Sequence, residues 1–161
     1  MKSQALLAGV LAIATSVGSV ALSGSGGPPV DIPARAKGAG KVVVATATSV
    51  TPQWRTNGFG DQLIVSLVGL QVEETLKGAS GNFQWLDLEG GTLDGITLHV
   101  SSLPQLRPGE RAVFFLDETK DGSHVPHLKG LGILKLDPQE RVGNSSLHLD
   151  DVRRMVRGAG K

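Results

Sequence analysis

The chain has 161 residues, with 16 Lys and Arg against 15 Asp and Glu and a formal net charge of +1. A charge this close to zero argues against a nucleic-acid partner, because such binding is driven largely by phosphate neutralisation. Cysteine is absent, which excludes a disulfide framework, Cys-ligated zinc and lipoprotein attachment.

Met1 to Gln4 carries Lys2, and Ala5 to Leu22 follows without any charge, rich in Ala, Leu, Val and Ile. A basic start before an apolar run reads as a secretory signal peptide over residues 1–23. Ser19 and Ala21 suit cleavage after Ala21, and Ala21 and Ser23 suit cleavage after Ser23, so the exported chain is expected to start at Leu22 or Gly24. An uncut run of ~18 apolar residues is long enough to span a bilayer. The small residues at its end favour cleavage, hence no stable membrane insertion and a secreted or periplasmic product. Cleavage removes one of the 16 basic residues and none of the 15 acidic ones, leaving a formally neutral chain. Residues 24–40 place Pro28, Pro29 and Pro33 among Gly and Ala, too little apolar surface to offset the entropy of ordering, and read as a flexible linker. Residues 41–149 are long enough for one domain with one core, followed by a short tail over 150–161.

The body of the chain reads as strands. Lys41 to Thr51, KVVVATATSVT, is dense in β-branched residues, with Val42, Val44, Thr46, Thr48 and Val50 on one side and Val43, Ala45, Ala47 and Ser49 on the other. Gln62 to Leu76 repeats the pattern and contains Gly69, where a strand bends or bulges. Asn57-Gly58 and Gly60-Asp61 are turn signals between the two, so a long hairpin is predicted. Asn82 to Leu88 gives a third strand with Phe83, Trp85 and Asp87 on one face and Leu86 and Leu88 on the other. Gly95 to Val100 gives a fourth. Ala112 to Leu116, AVFFL, has no polar face and is predicted to be buried on both sides. Phe114 and Phe115 point oppositely, one into the interior and one under a covering element. Val125 to Leu136 supplies a weaker pair of strands broken by Gly130 and Gly132. The period then changes: Val152, Met155 and Val156 fall at helical spacing, with Asp150 as the expected N-cap, arginines 153, 154 and 157 toward the end and Gly158 as the stop. This helix is the candidate cover for the outer phenylalanine, and its arginines read as a solvated end.

The order VVVATATSV, Trp54, VEETLKG, LEGG, Pro104, RPGERAVFFL and HLKGLGILKL resembles exported bacterial proteins of uncharacterised function. Its spacing is similar to netrin-like modules, the family that includes tissue inhibitors of metalloproteinases. The resemblance covers about residues 41–136 and implies an all-β fold, a single small OB-like barrel with a short C-terminal helix. The family's cysteines are missing, including the N-terminal one that engages zinc, so inhibition is not carried across.

Few residues offer chemistry. The stretch from Leu76 to Gly95 is glycine-rich, yet Thr92, Leu93 and Asp94 follow Gly90-Gly91 where a phosphate loop needs Lys-Ser or Lys-Thr and a helix. It reads as turns between strands, with Gly78, Gly81, Gly90 and Gly91 supplying positive φ. His124 and His127 flank Pro126, which bars a regular helix, and their odd offset on an extended chain sends them to opposite faces, so no metal site is expected. His-Glu-x-x-His and Gly-x-Ser-x-Gly do not occur. Glu73-Glu74 and Asp117-Glu118 are adjacent carboxylates that point apart on strands and read as solvated ends. Asn144-Ser145-Ser146 matches a glycosylation acceptor. Of Trp54, Phe59, Phe83 and Trp85, core packing accounts for most, and Trp54, among polar neighbours in the hairpin, is the candidate contact residue.

These readings point to an exported, non-catalytic β-barrel without a cofactor or metal that binds a protein or cell-envelope component through its loops. An inhibitor or accessory factor of a secreted protease is the second reading, from the resemblance. A hydrolase with an unrecognised site is the third, and it requires His99, Asp117, His124 and Asp150 to cluster.

Overall fold

A computed structural model describes residues 31–143 and 145–160; the predicted signal peptide with its expected cleavage sites, the first part of the predicted linker and Asn144 lie outside them. In chain order the elements are α1 (Ile32–Gly38), β1 (Lys41–Thr56), β2 (Gln62–Lys77), β3 (Phe83–Glu89), β4 (Gly91–Leu93), β5 (Ile96–Leu98), β6 (Arg111–Glu118), β7 (His124–Pro126), a 3-10 turn (Lys129–Gly132), β8 (Ile133–Lys135) and α2 (Leu149–Ala159). The fold is mostly β. Its main sheet runs β1-β2-β3-β7-β6-β8, and β6 also pairs with β1. All these pairings are antiparallel except β3 with β7, which is parallel and rests on Leu86 opposite His124.

The predicted long hairpin is β1 and β2, paired from Val42 opposite Lys77 to Thr56 opposite Gln62, with slips beside Val43 and Ala45 where β2 carries the extra residue. Its alternation does not run unbroken. The register slips between Ala47 and Ser49, opposite Leu70 and Gly69, leaving Thr48 as an extra residue in β1. The bulge is therefore in the partner of the glycine, and Thr48 Oγ1 donates to the Gly69 carbonyl at 3.1 Å. One extra residue flips the faces beyond it: Val43, Ala45 and Ala47 lie in the inner core, and Val50, not Ser49, packs against it next.

The predicted fourth strand, 95–100, does not join this sheet. Ile96–Leu98 pairs with Gly91–Leu93 as a separate two-stranded hairpin, turned by Asp94 and Gly95 at φ +51° and +77°. Gly78, Gly90 and Gly91 have the expected positive φ; Gly81 does not.

Two apolar layers share β1 and β6. The inner core holds Val43, Ala45, Val68, Leu70, Leu86, Ala112, Phe114 and Leu116. The outer core holds Val42, Val44, Val113 and Phe115 under Ile32, Ala36, Leu149, Val152 and Val156 from the two helices. Phe114 and Phe115 are both fully buried and divide between the layers as the AVFFL run predicts.

The linker reading fails from residue 31 onward. Asp31 Oδ1 accepts from the Ala34 amide at 2.9 Å, Pro33 sits in the first turn, and Ile32, Ala36 and Ala39 are buried. A capping acid followed by proline is a helix start; the Gly, Pro and Ala composition masked it. Lys77 Nζ closes the other end, donating to the carbonyls of Ala36 at 2.7 Å and Ala39 at 2.6 Å.

At α2 the cap is one turn detail off the expectation. His148, not Asp150, is the N-cap, its amide donating to Asp151 Oδ2 at 3.0 Å. Asp150 pairs instead with Arg153 at 2.6 Å. The helix also runs past Gly158 to Ala159. Its arginines are not simply solvated: Arg153 Nε donates to Glu74 Oε2 at 2.9 Å, and Arg154 pairs with Asp151.

Candidate functional site

The side chains of β3 alternate between interior and solvent. Leu86 and Leu88 are buried, so Phe83, Trp85, Asp87 and Glu89 face outward. Their cross-strand partners in β2 are Gln71, Gly69, Leu67 and Val65. In β1, Ser49, Thr51, Gln53 and Arg55 stand opposite Gly69, Leu67, Val65 and Leu63. The outer face of β1–β3 thus carries an apolar stripe, Leu63, Val65 and Leu67, all half-buried, ending at two aromatic rings.

Those rings are solvent-facing. Phe83 is 41% and Trp85 46% exposed, and they meet edge to face with centroids 4.9 Å apart and planes at 82°. Gly69 makes this possible, since a Cβ there would come within 2.9 Å of Phe83 Cζ and 2.7 Å of Ser49 Oγ. The ring of Phe83 therefore lies over bare backbone, which holds it without burying it. Across the stripe, Arg55 Nη2 stands 3.5 Å from Asp87 Oδ1, an exposed pair worth under ~1 kcal/mol. Asp87 Oδ2 also accepts from Ser123 Oγ at 3.0 Å. That contact ties the β6–β7 turn to the edge of the face and forms a groove with Phe83, Trp85 and Asp121 in its walls.

The core assignment of the aromatics is overturned. All four are exposed, Phe59 to 94% and Trp54 to 40%. Phe83 and Trp85 share a strand face with Asp87, an acid two residues on, and that was the available sign that the face meets water. Trp54, the residue singled out from sequence, lies on the opposite face of β1, and its Nε1 donates to Asp94 Oδ2 in the β4–β5 turn at 3.1 Å. Phe59 caps the tip of the long hairpin. There Asn57 Oδ1 accepts from the amides of Phe59 and Asp61, each at 2.9 Å, and Asn57 Nδ2 donates to Asp61 Oδ2 at 3.0 Å.

The residues a hydrolase would need take other partners. His127 Nδ1 is 2.8 Å from Asp117 Oδ2, Asp117 Oδ1 accepts from the Gly40 amide at 3.2 Å, and Asp150 is held by Arg153. His99 lies at the other end of the sheet, beside Leu98 and Val100. Among the described residues no three His, Asp or Glu side chains converge as metal ligands. Glu73 and Glu74 neither point apart nor are solvated: the register slips at Glu73, and both take partners on the helix-covered side, Glu73 accepting from Arg111 Nε and Thr46 Oγ1, both at 2.6 Å, and Glu74 from Arg153 of α2.

His124 is the one buried histidine, 5% exposed, with Nε2 3.0 Å from Lys41 Nζ and Nδ1 without a hydrogen bond. Burial first, and then the Lys41 ammonium, hold its pKa below the ordinary 6.5, against the Trp85 backbone and Glu118, which raise it. Neutral His124 therefore accepts from Lys41. In the unfolded chain it takes a proton at a higher pH than in the folded one, so the unfolded state binds more protons as the medium is acidified. The stability His124 contributes is full above 6.5 and is lost as pH falls through the lowered value. Urea unfolding should show stability declining below pH ~6.5, and His124→Gln should flatten that part of the profile; an unchanged profile would show that His124 is not buried neutral.

Compared with known protein families and with curated proteins, the chain matches none. Among the described residues no helix is long and apolar enough to cross a membrane.

Proposed function

We propose that this protein is an exported, non-catalytic binding module whose working surface is the outer face of β1–β3. The observation that carries the reading is the exposed Phe83–Trp85 pair at the end of the Leu63, Val65 and Leu67 stripe. Aromatic anchors held rigid in a partly apolar patch are what protein interfaces use for most of their binding energy, and contiguous apolar surface on a small domain marks an interaction site. The partner is a protein or cell-envelope component. The strand order supports a finer reading, a small closed OB-like barrel of the netrin-like kind: β1-β2-β3-β7-β6 with β6 returning to β1, and β3 parallel to β7. In OB folds the face built on the second and third strands takes ligand.

Capture of partners from the native envelope fraction, followed by affinity measurement, tests this. Trp85→Ala should cost ~2 kcal/mol of binding, about 30-fold in Kd, if Trp85 is an anchor. Its melting temperature should stay close to that of the parent, because the ring is half in water. Binding that survives both Trp85→Ala and Phe83→Ala unchanged would remove the face from consideration.

One observation favours the second reading, inhibition of a secreted protease. The tip from Asn57 to Asp61 is locked by its own hydrogen bonds and offers Phe59, 94% exposed, between two glycines. Rigid presentation of a single side chain lowers the ordering cost of binding. Inhibition of a protease that accepts phenylalanine in its primary pocket, abolished by Phe59→Ala, would establish it.

A further inference from the structure

On the side of β1–β2 opposite the aromatic face, a cavity of about 250 Å³ opens at the end of the inner core. Its floor is Leu88, Leu106 and Val50, the first two buried. Leu98, Val100 and Pro104 close its sides. The roof is the β4–β5 hairpin, which pairs only within itself.

That hairpin has a hinge and a latch. It leaves β3 through Gly90 and Gly91 at φ +109° and +137°. A Cβ on Gly91 would come 2.7 Å from Ser66 Oγ and 3.3 Å from Pro52 Cβ, so only glycine lets the hairpin fold down this closely. Ser66 Oγ donates to the Gly90 carbonyl at 2.7 Å and the Gly90 amide donates to the Ile64 carbonyl at 2.8 Å. At the free end the latch is Trp54 Nε1 on Asp94, two exposed groups.

We infer that the cavity binds one small uncharged molecule, an aromatic or branched alcohol, under a hairpin lid latched by Trp54. Its size and apolar floor set the scale: an apolar cavity of about 150 Å³ is enough for benzene. The lining offers no Lys or Arg to neutralise a carboxylate ligand, which favours an uncharged one. The Ser66 hydroxyl spends its proton on Gly90 and keeps acceptor capacity for a ligand hydroxyl. The site is independent of the binding face proposed above.

Titration of the full chain with benzyl alcohol, followed by amide shifts in NMR, tests it. Saturable shifts should centre on Gly90, Gly91, Leu98 and His99. Leu98→Phe, which fills the cavity from the lid, should weaken binding at least tenfold with the fold retained; Val50→Phe, filling it from the floor, should do the same should the lid variant fail to fold. Trp54→Phe keeps an aromatic side chain but removes the Nε1 donor of the latch, and should leave the ligand bound but exchanging several-fold faster. Shifts that do not saturate, or that both filled variants retain, overturn the site. An exchange rate unchanged in Trp54→Phe overturns the latch.

Discussion

Phe114→Ala and Phe115→Ala will each lower the unfolding free energy by about 3–5 kcal/mol, the cost of emptying a fully buried aromatic site. Both rings are at 0% exposure, and a domain of this size has only ~5–15 kcal/mol in all. The two losses should differ in kind. Phe114 sits in the inner core with Val68 and Leu86, whereas Phe115 sits in the outer core with Ile32, Val152 and Val156. Deleting residues 150–161 removes part of the outer cover. It should therefore lower the melting temperature by itself and combine non-additively with Phe115→Ala, but additively with Phe114→Ala, because only contacting sites couple. Chemical denaturation of the parent, the three single changes and the two combinations measures this directly. A loss below ~1 kcal/mol for either ring, or equal coupling of both to the truncation, would show that the two-layer arrangement is wrong.

Ile32→Ala will cost about 2–5 kcal/mol, the range for emptying a buried aliphatic site, although Ile32 precedes the first strand. Its side chain is 0% exposed beside Ala36 and the residues of α2. A chain beginning at Lys41 loses more. Ala36 and Ala39 go with Ile32, and the Lys77 ammonium is left without the carbonyls it now holds. Thermal unfolding of both variants settles the matter. If residues 31–40 were a tether, neither change would move the melting temperature.

The candidate site was only half legible. Alternation along Phe83, Trp85 and Asp87 placed the three side chains on one face, and that grouping is right. It could not say which face meets water, because period two defines two sides without naming the inner one. The acid is the clue, because an unpaired carboxylate cannot be buried whereas an aromatic ring can lie on either side. Trp54 was singled out for its polar neighbours, and its hydrogen-bond partner is Asp94, forty residues on; no local pattern announces such a contact.

What the sequence determined by itself was local. β-Branched runs with period two located β1 and β2, alternation of Leu86 and Leu88 with Trp85 and Asp87 located β3, the wholly apolar AVFFL marked β6 as the strand buried on both sides, and helical spacing after Leu147 located α2. These signals survive because each strand or helix must carry its own solubility pattern. The tertiary structure alone decided three things. A single extra residue at Thr48 reverses which side of β1 is inside, since every later side chain changes face. A short segment rich in Gly, Pro and Ala becomes a buried helix because α2 and β1 offer it an apolar seat and Lys77 takes its terminal carbonyls. Thr92 to Leu98 folds into a hairpin over the end of the sheet rather than into it, because the room there is set by Ser66, Pro52 and the glycine hinge. In each case the deciding free energy belongs to surfaces far apart in the chain, and burial is a property of the pair of surfaces, not of either one.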